Sequence, residues 1–328
     1  MRDHTYLNKR TVRFADLGGL DFDIFVSSDD QSDRVRKVAE AVNVPEGYWI
    51  LHPEYDLDAA GRSTAFAEIA VDSGVAEVDA WRTIWQQVLN GRPPQGLRVC
   101  IDISGMMRPF IAVLPVILAK LGFGTVSVLY TDPTNYVSGP TTTFSKGRVD
   151  EVRQVPGLEG VHTTSTDPAD VLIIGAGYDD SLIRAVADYK RSASSHYIML
   201  GLPSLQPHMY QESQIRLALA EESITDFASK SFLHAPANDP FVTASVLSAH
   251  VAELRQTRPD LNVYLSPVGP KAHVLGFGWY FACEELQKPT SILFPYAPSY
   301  STGSAAGLSR SHLYELDLTW IDLPAITR

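Results

Sequence analysis

Short apolar runs alternate with stretches of helical spacing along almost the whole chain. Asp23–Ser27 (DIFVS), Tyr48–Leu51 (YWIL), Leu97–Ile103 (LRVCIDI) and Thr125–Tyr130 (TVSVLY) read as strands. Between them, Gln31–Val42 repeats apolar residues at Val35, Val38, Ala39 and Val42, and Asp79–Leu89 does so at Trp81, Ile84, Trp85 and Val88. Met106–Leu121 reads as a third helix. The pattern then recurs. Asp170–Ile174, Tyr197–Leu200, Leu261–Leu265 and Ser291–Phe294 read as strands, and Ser181–Lys190, Gln211–Ala220, Phe241–Leu254 and Lys271–Leu286 as helices. Strands that are apolar on both faces and separated by helices predict parallel sheets covered on both sides. The expected fold is α/β, with two Rossmann-like parallel-sheet halves related by a pseudo-two-fold axis. The halves are placed at residues 1–145 and 169–328. Residues 146–168, polar and carrying Pro156, Gly157 and Gly160, are read as the linker, with room for a hairpin.

Matches at corresponding strand ends point to an internal duplication. Asp29-Asp30…Arg34 follows the first strand of one half, and Asp179-Asp180…Arg184 follows the first strand of the other. After the fourth strands stand Asp132-Pro133-Thr134-Asn135-Tyr136 and Ala297-Pro298-Ser299-Tyr300-Ser301. The competing explanation is convergent loop chemistry on two ordinary α/β units. In open α/β sheets, ligands bind beyond the carboxyl ends of the strands. The notable polar clusters all fall there, so a ligand is expected in a cleft between the halves.

The strongest cluster is Asp102-Ile103-Ser104-Gly105-Met106-Met107-Arg108, between a buried strand and a helix. Ser104 is placed to cap that helix, whose free N–H groups suit an anion. Arg108, one turn in, is placed to clamp a phosphate or a carboxylate. The bland reading is that Asp102 and Arg108 pair with each other and only order the loop. In the second half, Gly269 permits close backbone approach, and Lys271 at a helix start opposes the helix dipole unless an anion offsets it. His273, on the same helix, reads as structural rather than catalytic.

Gly175-Ala176-Gly177-Tyr178-Asp179-Asp180 begins like a dinucleotide fingerprint, but Asp180 stands where the third glycine belongs. An acidic pair at a helix start repels a pyrophosphate, so no NAD or FAD site, and no other cofactor, is expected. Asp179 and Asp180 suit ribose hydroxyls, base amino groups or helix caps. Tyr136 and Tyr300 are candidates to stack on a base, Tyr178 is a further candidate ligand contact, and Ser301 opens a small-residue loop suited to a phosphate or sugar. If the protein is an enzyme, Asp102, Asp179 and Asp180 are its candidate catalytic carboxylates, and cleavage of an N-glycosidic bond is the chemistry they suit. The sequence holds no G-x-S-x-G elbow and no H-E-x-x-H, and its nine histidines are scattered without metal-ligand spacing.

Composition narrows the partners. With 27 Lys and Arg against 38 Asp and Glu, the net charge is −11 and there is no basic run, which disfavours DNA. No apolar run reaches the ~18 residues of a membrane span, and no signal-peptide core follows Met1. The two cysteines, Cys100 and Cys283, make neither a disulfide framework nor a four-ligand zinc site; as buried small hydrophobes they fit a reducing cytoplasm.

The order strand, Asp-Ile-Ser-x-x-x-Arg, helix, then a strand ending in tyrosine resembles the CRISPR-associated Rossmann-fold (CARF) sensor domains. Gly269-Pro270-Lys271 is similar to the Gly-Thr-Lys element of related members. The resemblance covers two loops of each half. It implies that Ser104, Arg108, Gly269 and Lys271 contact a nucleotide ligand, in a prokaryotic antiviral defence or stress system. No nuclease or other effector module accompanies the halves, so an effector is expected as a partner protein. The expected function is therefore nucleotide sensing. The alternatives are an N-glycosidase or DNA glycosylase using a strand-end aspartate, and a non-catalytic interaction protein that keeps a degenerate Rossmann pair.

Overall fold

The computed structural model describes residues 1–57, 66–136, 145–146, 149–162, 170–220, 232–300 and 305–324. The first half begins with β1 (Lys9–Val12), β2 (Ile24–Ser28), α1 (Asp33–Ala41), β3 (Glu46–Leu51) and β4 (Ala67–Ala70). It continues with α2 (Glu77–Leu89), β5 (Val99–Asp102), α3 (Arg108–Leu121), β6 (Thr125–Thr131) and the short strands β7 (Asn135–Tyr136) and β8 (Ser145–Lys146). β9 (Glu151–Gln154) leads into the second half: β10 (Asp170–Gly175), α4 (Asp180–Tyr189), β11 (Ser195–Gly201), α5 (Met209–Leu219) and β12 (Phe232–Ala235). Then come α6 (Pro240–Thr257), β13 (Asn262–Pro267), α7 (Lys271–Tyr280), β14 (Thr290–Tyr296), β15 (Ser299–Tyr300), β16 (Ala305–Ala306) and β17 (Ser311–Asp317).

The chain is mixed α/β with two mostly parallel sheets flanked by helices. Among the described residues, one sheet runs β1-β17-β6-β5-β2-β3-β4 and the other β12-β11-β10-β13-β14-β9. Five parallel strands of each sheet share one order: β4-β3-β2-β5-β6 and β12-β11-β10-β13-β14. Counted from each half's first parallel strand, both read 3-2-1-4-5, the doubly wound Rossmann order, with the direction of winding reversing between the first and fourth strands. The apolar periodicity lands where it was expected. Val35, Val38, Ala39 and Val42 are buried, as are Trp81, Ile84, Trp85 and Val88, and so are Cys100 and Cys283.

The halves exchange their last strands. β17 pairs antiparallel with β6 in the first sheet, Leu313 opposite Leu129. β9, from the segment read as linker, pairs antiparallel with β14 in the second sheet, Phe294 opposite Arg153. The small strands cross in the same way, β7 with β16 and β8 with β15. The N-terminus is tied to the second half as well. Ser245 and Ser248 of α6 accept from the His4 and Arg2 amides at 2.9 and 2.8 Å, and His4 Nε2 meets Glu284 at 2.8 Å.

Two helices form the seam, and both are apolar all round because both faces are covered. α3 lies between the first sheet and α7, burying Phe110 through Leu118. α7 buries Ala272 through Tyr280. A Cβ at Gly278 would lie 2.3 Å from the Ala112 carbonyl oxygen, so the backbones touch where only glycine fits. Register and seam together set the N-termini of α3 and α7, and the loops before them, side by side. No helix among the described residues is long and apolar enough to cross a membrane.

Candidate functional site

The loops ahead of α3 and α7 hold each other. Arg108 Nε donates to the Gly269 carbonyl at 2.9 Å, and Lys271 Nζ donates in return to the Ser104 carbonyl. The same Ser104 oxygen accepts from Arg34 Nη2 at 2.9 Å, while Arg34 Nη1 reaches the Thr131 carbonyl at 3.2 Å. Three cations thus converge on three backbone carbonyls, those of Ser104, Thr131 and Gly269, at the carboxyl ends of both sheets. Burial lowers the Lys271 ammonium pKa to about 7; Arg34 and Arg108 push the same way, and Asp30 and Asp102 oppose them.

Two local expectations need correcting. Ser104 does not cap α3. The N-cap is Met107, without a side-chain cap, and Ser104 Oγ accepts from the Thr131 amide at 2.8 Å instead. The loop is tight enough that a Cβ at Gly105 would sit 2.0 Å from the Ser28 carbonyl, which fixes Ser104 against β6 rather than over the helix. Arg108 is the first helical residue, not one turn in, because the loop runs on through Met107.

Asp102 is wholly buried at the end of β5. Its oxygens accept from Ser27 Oγ at 3.0 Å and from the Ser104 amide at 2.9 Å, and burial raises its pKa. Asp179 caps α4, accepting from the Leu182 amide at 3.4 Å and from Ser181 Oγ, and Asp180 pairs with Arg216 at 3.2 Å. These carboxylates are engaged in loop and helix structure. His273 is buried, with Nε2 at 3.1 Å from the Pro236 carbonyl, and its pKa is lowered by burial to about 4.

Tyr300 stands at the junction. The β15 segment packs on the turn Pro53–Tyr55 of the first half, the Tyr300 hydroxyl accepts from the Ala297 amide at 3.4 Å, and burial pushes its pKa up to about 12. Arg108 is among the charges it feels. Tyr178 and Gly269, with Arg108, line a cleft of about 50 Å³ over the ends of β10, β11 and β13. Tyr136 lies in β7, its backbone paired with Ala305; its side chain and Ser301 lie outside the described residues.

Several residues of this junction were not singled out from sequence. In the sequence Arg34 is marked only by the repeated Asp-Asp-x-x-x-Arg, yet it is 7% exposed and bonded to two carbonyls of the site. His52 and Tyr55 follow β3. His52 Nε2 lies 3.1 Å from Ser28 Oγ, and burial, with Lys271 nearby, takes its pKa down to about 3. Tyr55 donates to the Gly105 carbonyl at 2.8 Å. The only available signal for these two was their place at a strand's carboxyl end. Among the described residues, no group of three or more His, Cys, Asp or Glu side chains gathers as a metal site. The chain matches no known protein-family model and shows no significant similarity to any curated protein.

Proposed function

We propose that the protein binds an anionic nucleotide ligand between its two Rossmann-like halves and passes the bound state to a partner protein. The observation that supports this most is the convergence of Arg34, Arg108 and Lys271 on the Ser104 and Gly269 carbonyls. Those two carbonyls are neutral acceptors, and a phosphate oxygen makes hydrogen bonds roughly twice as strong with the same donors. The N-termini of α3 and α7, fourteen and ten residues long, open on the same junction and favour negative charge. The resemblance to CARF sensor domains supplies the setting of this proposal: a cytoplasmic antiviral defence or stress system.

The geometry favours binding over N-glycosidic cleavage. Hydrolysis needs a carboxylate that reaches water and the scissile bond. Asp102 is enclosed, Asp179 is a helix cap and Asp180 is ion-paired. The test is calorimetric titration with nucleoside monophosphates and cyclic nucleotides, followed by chromatography of the mixtures. Saturable binding with the nucleotides recovered intact is the expected outcome. Released free base would replace this reading with the hydrolytic one.

A further inference from the structure

The same strand-end crevice exists in both halves, but the two are filled differently. In the first half, described side chains occupy it. Tyr55 is buried and bonded to the Gly105 carbonyl, His52 is buried against Ser28 Oγ, and Arg34 and Lys271 fill the approach to Ser104. In the second half the crevice stays open. Gly177 and Gly201 contribute no side chains, Ala237 forms part of the lining, and Met209 and Ser213 project from α5. Arg108, from the other half, stands in its lining beside Gly269.

We infer that this crevice is a nucleobase subsite, and that the protein reads one base per chain. The inference rests on the nucleotide-binding reading above and gives it a stoichiometry and a polarity. Occupancy decides the first point. The cleft of about 50 Å³ is open to one side, whereas Tyr55, His52, Arg34 and Lys271 take up the described part of its counterpart in the first half, which leaves one slot for one planar ring system. Chemistry decides the second. The glycine and alanine backbone and the Met209 thioether of the lining suit a flat aromatic face, and a thioether is a favourable neighbour for such a ring. The lining is otherwise uncharged except for Arg108, so the ring enters the slot and its phosphate stays at the guanidinium. The Ser213 hydroxyl is the side-chain group on α5 able to hydrogen-bond a base edge. A ligand with two equivalent bases would find a partner for only one of them, because the first half's crevice is occupied by Tyr55 and its neighbours.

Calorimetry with three probes tests this: a nucleoside 5′-monophosphate, ribose 5-phosphate, and the same monophosphate against Ser213→Phe. Ser213 is only partly buried, so the added ring enters the cleft rather than the core. The expected result is one site per chain, with the monophosphate bound at least tenfold tighter than ribose 5-phosphate. Ser213→Phe should remove that advantage and leave ribose 5-phosphate binding unchanged. Equal affinity for the two probes in the wild-type protein, or two monophosphates per chain, would overturn the base subsite while leaving the anion site standing. Wild-type protein that binds neither probe, or binds both just as well with Arg108→Ala, would overturn both readings.

Discussion

Arg108 Nε and the carbonyl oxygen of Gly269 lie 2.9 Å apart across the boundary between the halves, and Lys271 answers with a bond to Ser104 on the opposite loop. Each loop therefore carries both a cation for its neighbour and a carbonyl for its neighbour's cation. The two loops are thus locked to each other across the boundary.

Replacing Arg108 by alanine should abolish nucleotide binding while leaving the fold intact. The lost charge-assisted bond is worth about 1–3 kcal/mol, small beside the two sheets and the α3–α7 seam. Circular dichroism and a ligand thermal-shift series on the same sample check this. A variant that is simply unfolded would make Arg108 a structural residue.

Affinity should depend on pH through Lys271. Its folded pKa of about 7 lies below the ordinary 10.5, so the ammonium is lost on raising pH through neutrality. A bound anion favours the charged form, so affinity for a cyclic mononucleotide, whose phosphodiester does not titrate in this range, should fall as pH rises above about 7. Lys271→Met should flatten that profile. For stability the sign is opposite. The unfolded lysine holds its proton up to about 10.5, so this group makes the protein more stable as pH rises from 7 towards 10.5.

Asp102→Asn should be tolerated at neutral pH. Burial already raises the pKa of this carboxyl, and an amide oxygen can still accept from the Ser104 amide. Urea unfolding should show a midpoint at or above that of the wild type, with nucleotide binding retained. A loss of binding with the fold intact would assign Asp102 a direct role.

Gly278→Ala should destabilise the seam, because the new Cβ would lie 2.3 Å from the Ala112 carbonyl and the helices must part. Overpacking of this kind costs about 1–3 kcal/mol, visible as a lowered melting temperature.

The two halves should not survive separation. Without β17, β6 becomes an open edge carrying Val126, Val128 and Tyr130, which invites aggregation. Residues 1–145 expressed alone are expected in the insoluble fraction, and co-expression with 146–328 should return them to solution.

The parts legible in the sequence were those that packing dictates locally. Two-faced apolar strands such as Val99–Asp102 and the Trp81–Val88 face announce themselves by composition and period. β4 and β12 did not, because as edge strands they bury little: AEIA buries Ile69 alone. β9, sequence EVRQ, has no apolar alternation of its own and exists because β14 offers an edge. The same distinction runs through the site. The Asp102–Arg108 loop and Lys271 stood out as charges at strand ends, whereas Arg34 lies inside a helix and becomes a site residue only through the tertiary fold.

The crossed edge strands also limit how the protein can respond to whatever it binds. Two lobes joined by one flexible tether can close like a clamshell, but here the chain crosses from one sheet to the other before β9 and back again before β17, and such a swing would have to open the α3–α7 seam packed between them. The motion left is shear, with α3 sliding along α7 by about 1–2 Å as packed helices do. The seam is packed between the two sheets, so a partner on the outer face would feel the displacement without any opening of the cleft.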